Sequence, residues 1–243
     1  MNLIIDFGNT QIKVGVFEKE ALKTFKYVSY DDLNQLVELM NEFEIKKIGI
    51  TNVKEIPKQF EEFLNKKRIL IYFLNIKESS LPIQIDYKTP LSLGNDRICN
   101  AVAANLIFPN KNVLIIDLGT CNKYDFITKE KRYLGGAISP GFKMRLDSMH
   151  QFTEQLPLLD PVMGTQIIGD STTNSMISGA FYGIIGEINY FIEQYKSQFN
   201  DMEVVLTGGF YIYFEKVLKN HIFADPYLTL RGLNEILNFQ VDK

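Results

Sequence analysis

Val113-Leu114-Ile115-Ile116-Asp117-Leu118-Gly119-Thr120 restates Leu3-Ile4-Ile5-Asp6-Phe7-Gly8-Asn9-Thr10: with Asp117 set against Asp6, Leu114 to Gly119 match Leu3 to Gly8 at five of six positions, and a Thr follows each glycine within two residues. Self-similarity of this kind marks a duplicated architecture. In each copy an unbroken apolar run has the pattern of a buried strand. The run ends in an acid followed by a glycine turn, which can aim a carboxylate and a row of backbone N–H groups at one spot. That combination suits Mg²⁺ and phosphate. A single Asp-x-Gly after a strand is an ordinary hairpin turn; two copies, each closed by Thr, say more.

Outward from the first copy, Gln11 to Phe17 and Leu22 to Val28 read as strands. Leu33, Leu36, Val37, Leu39, Met40 and Phe43 recur at helical spacing, with Asp31 or Asp32 as the expected N-cap. Strands over 46–51 and 68–74 flank a short helix at 60–65, and 96–107 forms a helix that Pro109 closes. Around the second copy, strands are expected over 123–128, 132–138 and 203–207, with helices over 141–154 and 174–195. Gly179, Gly183 and Gly186 fall inside the last helix, where each costs about 1 kcal/mol relative to alanine and so implies close approach of a helix or ligand. The expectation is an α/β protein of two lobes, 1–110 and 111–243, each a mixed sheet flanked by helices, with nucleotide in the cleft.

Composition narrows the function. Twenty-six basic against 29 acidic residues give a net charge of −3, and the longest basic tract is Lys66-Lys67-Arg68, so the footprint of a nucleic-acid binder is missing. Cys99 and Cys121 form no Cys-x-x-Cys, and His150 and His221 stand far apart, which argues against a disulfide scaffold or a structural zinc site. Asp6 interrupts the first apolar run and no later one approaches bilayer length, so no membrane segment is expected and a cytoplasmic location is.

Three further stretches could carry chemistry. Thr207-Gly208-Gly209 ends a strand in a turn that lets backbone approach a flat nucleotide. Gly94-Asn95-Asp96-Arg97 opens a helix with a carboxylate beside a guanidinium that can grip an anion bidentately; Asp96 is equally a plain first-turn acid. Gly135-Gly136-Ala137-Ile138-Ser139-Pro140-Gly141 is a tight strand-to-helix connection. No Gly-x-x-x-x-Gly-Lys-Ser/Thr loop occurs, and no glycine-rich loop, strand lysine or His-Arg-Asp precedes Asp6-Phe7-Gly8 to make it a protein-kinase metal motif. Facing phosphate loops would still meet the needs of phosphoryl transfer.

Two such hairpins and a late Thr-Gly-Gly turn resemble the actin-like ATPase (ribonuclease H-like) superfamily. Within it, the ordered set Asp6 to Thr10, Gly94 to Arg97, Asp117 to Thr120, Gly135 to Gly141, Leu156-Pro157, Ile168 to Thr172 and Asp225 to Leu233 is similar to the signature of type III pantothenate kinases. The resemblance runs from residue 3 to residue 233 and implies transfer of the ATP γ-phosphoryl group to pantothenate. It implies that Asp6, Phe7, Gly8, Asn9, Thr10, Gln11, Ile12 and Lys13 hold ATP phosphates, with Asp6 orienting Mg²⁺ through water and Thr120 reaching the phosphates from the second lobe. Asp96 matches the general base, Arg97 the partner of the substrate carboxylate, and Tyr87, Gly94, Asn95 and Thr172 further substrate positions. Asp117 matches a ligand of a monovalent cation, K⁺ or NH₄⁺. A homodimer is also implied, its helices approaching at Gly179, Gly183 and Gly186.

The chain departs from the common family pattern at Cys121-Asn122-Lys123, where many members have Ala-x-Thr. Two expectations stand side by side: the Lys123 ammonium replaces the cation or repels it, or strand alternation turns Lys123 to solvent. Two other functions stay open from the residues, a kinase of a sugar-like acceptor and a non-catalytic nucleotide-binding regulator.

Overall fold

The computed structural model describes residues 1–8, 11–52, 56–65, 69–218 and 222–241. Two compact units are present, Met1–Ile107 together with Tyr227–Lys243, and Phe108–Pro226.

The first unit contains β1 (Asn2–Phe7), β2 (Ile12–Glu18), β3 (Ala21–Val28), α1 (Asn34–Glu42), β4 (Lys47–Asn52), α2 (Lys58–Asn65), β5 (Leu70–Phe73), a two-residue β6 (Gln84–Ile85) and α3 (Asn95–Ile107). Its sheet runs β3-β2-β1-β4-β5. β1 is antiparallel to β2 and parallel to β4. Being paired on both edges and covered on both faces, β1 is buried along its whole length, hence the apolar run.

The second unit contains β7 (Asn112–Leu118), β8 (Cys121–Ile127), β9 (Arg132–Pro140), α4 (Phe142–Gln151), α5 (Thr172–Gln198), β10 (Met202–Thr207), α6 (Tyr211–Phe214) and β11 (Phe223–Ala224). Its strands run β9-β8-β7-β10-β11, with β7 antiparallel to β8 and parallel to β10. Strand for strand this is the arrangement of the first unit, so the repeated strand-and-turn sequence belongs to a repeated sheet.

In the first unit, Leu36 and Leu39 of α1 and Phe60 and Leu64 of α2 pack with Leu3, Ile5, Val14 and Ile48. α7 (Leu228–Val241) also belongs to this unit, with Leu230 beside Gly15 and Leu233 and Leu237 beside Gly49. Where α7 crosses α3, a Cβ on Gly232 would overlap the Cys99 carbonyl, so the helices touch backbone to backbone. Thr229 Oγ1 donates to Asn100 Oδ1 at 2.8 Å across the same contact. Residues 227–241, which sequence order placed with the second half, therefore pack with the first.

The core of the second unit joins Leu114, Ile116 and Phe126 to Phe142 of α4, Phe181, Ile184 and Ile188 of α5, and Phe214 of α6. Two local expectations differ. α1 is capped at Leu33 with no side-chain bond, because Asp32 instead accepts from the Gln35 amide. An added Cβ on Gly179 or Gly186 meets nothing within 4 Å among the described residues, and one on Gly183 meets only Arg145 at 3.5 Å, so no packing within the chain explains these glycines.

Candidate active site

In the first unit Asp6 is the penultimate residue of β1. Its register partners are Lys13 on the antiparallel side and Thr51 on the parallel side. The carboxylate is buried, and its charge is felt nearby: burial and then Asp6 push the Tyr30 phenol up. Burial, followed by Asp6 and Asp96, raises the Cys99 thiol well above its usual range. Asp6 and Asp96, ninety residues apart in sequence, both belong to the first unit. Tyr30 Oη donates to the Gly8 carbonyl at 2.7 Å and holds the start of the hairpin loop. Phe7 and Ile12 are core side chains, so they can offer a ligand only backbone; Gln11 is exposed. Asn9 and Thr10 lie outside the described residues.

Asp96 stands in the first turn of α3, where Oδ1 accepts from the Arg97 N–H at 2.9 Å. A Cβ on Gly94 would lie 2.5 Å from that oxygen, so glycine there lets the chain fold over the carboxylate. Asn95 is spent locally, its amide donating to the Leu74 carbonyl. Arg97 is only 5% exposed, and its guanidinium lies 5.8 Å from the centre of the Tyr87 ring. Stacked on an aromatic face and shielded from water, such a planar fork suits a carboxylate far better than an ammonium would.

The second unit repeats the first arrangement. Asp117 is the penultimate residue of β7, with Lys123 as its antiparallel partner and Thr207 as its parallel one. Each strand-end acid is therefore flanked by a lysine and a threonine in the same register. Lys123 Nζ lies 2.7 Å from Asp117 Oδ2, with side chains 16% and 10% exposed. Opposed residues of an antiparallel pair share a face, which brings Lys123 to Asp117 rather than to solvent. Gly208 has φ +94, and a Cβ on it would lie 2.5 Å from Asp117 Oδ1 and from the Leu118 backbone. Phe210 N–H donates to the Leu118 carbonyl at 2.9 Å, and Gly141 N–H to the Thr120 carbonyl at 3.2 Å. Both glycine-rich segments thus close onto the second hairpin, while Thr120 stands exposed at its tip. Thr172, also exposed, opens α5 just after the N-cap Ser171.

One cluster escaped the sequence reading. Glu187 on α5 accepts from Tyr124, Ser139 and Arg145. Burial pushes this carboxyl up, but those hydrogen bonds and the Arg145 charge outweigh it and hold it below its usual value. Burial, reinforced by Glu187, raises the Tyr124 phenol. No periodicity links residues 124, 139, 145 and 187, so no local signal could have found them.

Among the described residues no three His, Cys, Asp or Glu side chains gather to hold a metal. A single buried carboxylate such as Asp6 fits Mg²⁺, which keeps several waters and is bound by one or two carboxylates plus substrate phosphates. Asp117 does not fit a separate monovalent cation, since an ammonium already sits on it. No helix among the described residues is long and apolar enough to cross a membrane.

The family described as type III pantothenate kinase matches residues 2–194. The chain belongs to that family. A type III pantothenate kinase from Christiangramia forsetii is 42% identical over 98% of both chains, and one from Bacteroides fragilis is 39% identical over 98% of both. The fold recurs in solved structures of low sequence identity. A ROK family protein from Streptococcus pneumoniae in complex with sucrose aligns over 99% of this chain and 100% of its own, at TM-score 0.51 and 14% identity. The activator of 2-hydroxyisocaproyl-CoA dehydratase from Clostridium difficile with bound ADPNP aligns over 100% of this chain and 97% of its own, at TM-score 0.51 and 12% identity. Family members thus share the chain's full length, and the two structures share its fold.

Proposed function

We propose that this chain phosphorylates pantothenate, transferring the ATP γ-phosphoryl group to the primary hydroxyl and giving 4'-phosphopantothenate, the first step of coenzyme A biosynthesis. The observation that carries the choice of acceptor is the buried guanidinium of Arg97 beside Asp96 at the start of α3. Pantothenate offers a carboxylate for Arg97 and a hydroxyl whose proton Asp96 accepts as the oxygen attacks phosphorus. Tyr87 orients the guanidinium; Gly94 and Asn95 set the turn that presents both side chains.

Within the first unit the strand-end hairpin, Asp6 to Lys13, is the phosphate element, and within the second unit the hairpin that ends in Thr120 is its counterpart. Mg²⁺, when bound, neutralises charge on the phosphate oxygens, and Asp6 is the residue that holds it through water. The monovalent cation is left out of the scheme because Asp117 already has its counter-charge. We read the enzyme as a cytoplasmic homodimer. Phe152, Ile167 and Ile168 are 80%, 70% and 79% exposed and are the side chains a second copy would cover, and Gly179 and Gly186 meet nothing among the described residues.

The test is coupled measurement of ADP formation with pantothenate, with a panel of sugars, and with no acceptor. Pantothenate-dependent turnover is expected. Turnover with a sugar alone assigns a different acceptor, and nucleotide binding without turnover makes the chain a regulator.

A further inference from the structure

We infer that Lys123 is a resident counter-cation of the second hairpin: its ammonium holds the place on Asp117 that a monovalent ion would take, so nucleotide binding here requires neither potassium nor ammonium. The inference deepens the nucleotide-binding reading of that hairpin.

Geometry is the first support. Lys123 and Asp117 are register partners on the same face of an antiparallel pair, and Nζ to Oδ2 is 2.7 Å. The position is dictated by the strands rather than by a long side chain wandering over a surface. The other oxygen is closed in as well, since a Cβ on Gly208 would lie 2.5 Å from Oδ1. A separate ion would have to share the carboxylate with a fixed positive charge.

Electrostatics point the same way. A carboxylate this shielded from water is costly unless paired, so the site demands one positive charge. A lysine ammonium is a compact monovalent cation with three N–H donors, chemically close to a bound ammonium ion tethered to the chain. Its attachment removes any dependence on the salt present.

The duplication gives independent support. Lys13 faces Asp6 in the first hairpin in the register in which Lys123 faces Asp117 in the second. A lysine opposite the strand-end acid therefore belongs to the repeated unit, and in the first copy it falls inside the segment proposed to hold phosphate.

The experiment measures binding of Mg·ADP by calorimetry in potassium chloride and in tetramethylammonium chloride at equal ionic strength. The unaltered chain is expected to bind with Kd within about twofold in the two salts, whereas Lys123→Ala, which removes the tethered ammonium from the buried carboxylate, weakens about tenfold or more in tetramethylammonium and recovers in potassium. A tenfold potassium dependence in the unaltered chain overturns the inference, and so does a Lys123→Ala variant indifferent to the salt. Thermal unfolding without nucleotide is the second measurement. Potassium should raise the midpoint of Lys123→Ala over tetramethylammonium and leave the unaltered chain unmoved; the reverse overturns the inference. If ADP binds in neither salt, the nucleotide-binding reading fails, while the melting comparison still decides whether Lys123 fills an ion site.

Discussion

Replacing Gly208 with alanine is expected to damage the second unit far more than the same change at Gly209, one residue along. Gly208 has φ +94, a region that costs a residue with a side chain about 1–3 kcal/mol. The added carbon would also lie 2.5 Å from Asp117 Oδ1 and from the nitrogen and carbonyl carbon of Leu118. Two of these atoms are backbone of β7 and the third belongs to a carboxylate whose other oxygen is held by Lys123, so none can swing aside cheaply, and overpacking adds about 1–3 kcal/mol. Taking the middle of both ranges gives about 4 kcal/mol, a fall of about 8–16 °C in melting midpoint at the usual sensitivity for a chain of this size. At Gly209 an added Cβ meets nothing within 4 Å, and stiffening the unfolded chain leaves alanine within about 1 kcal/mol of the original. Circular dichroism melts of the two variants side by side make the comparison. If Gly208→Ala melts within about 2 °C of Gly209→Ala, the close approach of the β10 turn to Asp117 is not the constraint described here.

Asp96→Asn should retain ADP binding while turnover with pantothenate falls by about 10²-fold or more, the scale of a lost general base; near-normal turnover reassigns the role. Arg97→Lys should raise the KM for pantothenate with little change for ATP, because an ammonium cannot reproduce the bidentate, ring-stacked grip; parallel increases in both would place Arg97 in a structural role. Glu187 links stability to pH. Its folded-state carboxyl lies below the ordinary value of 4.5, so it stabilises the fold above that value and the contribution disappears as pH falls through the lowered one. Glu187→Gln should therefore be less stable than the unaltered chain near neutral pH, with the gap narrowing on acidification below about pH 4.5; urea melts across that range would show a constant gap if the carboxylate were not involved.

What was legible in the sequence was whatever the chain writes locally. The runs Leu3 to Asp6 and Val113 to Asp117 announced central strands because a strand buried on both faces has no polar side to interrupt it. Asp96 and Arg97 were legible because adjacent residues at a helix start are neighbours by construction. Pairings across strands were not. That Lys123 meets Asp117 depends on a hairpin register, and a shift of one residue would have sent it to the other face. The Glu187 cluster needed four separate elements, β8, β9, α4 and α5, to be in place. α7 was the opposite case, with Leu230, Leu233 and Leu237 at helical spacing in plain view; the α3 contact that decides its allegiance rests on Gly232, a residue whose contribution is an absent side chain.

That allegiance bears on how the protein is made. Residues 228–241 leave the ribosome after the entire second unit, yet they cover one face of the sheet that was synthesised first. Until they arrive, the nascent β1 sheet exposes the surface that Leu230, Leu233 and Leu237 will occupy. The unit containing Asp6 and Asp96 is thus begun before the second unit is made and completed only after it, so a lesion in α7 should strike chemistry well over a hundred residues upstream of it.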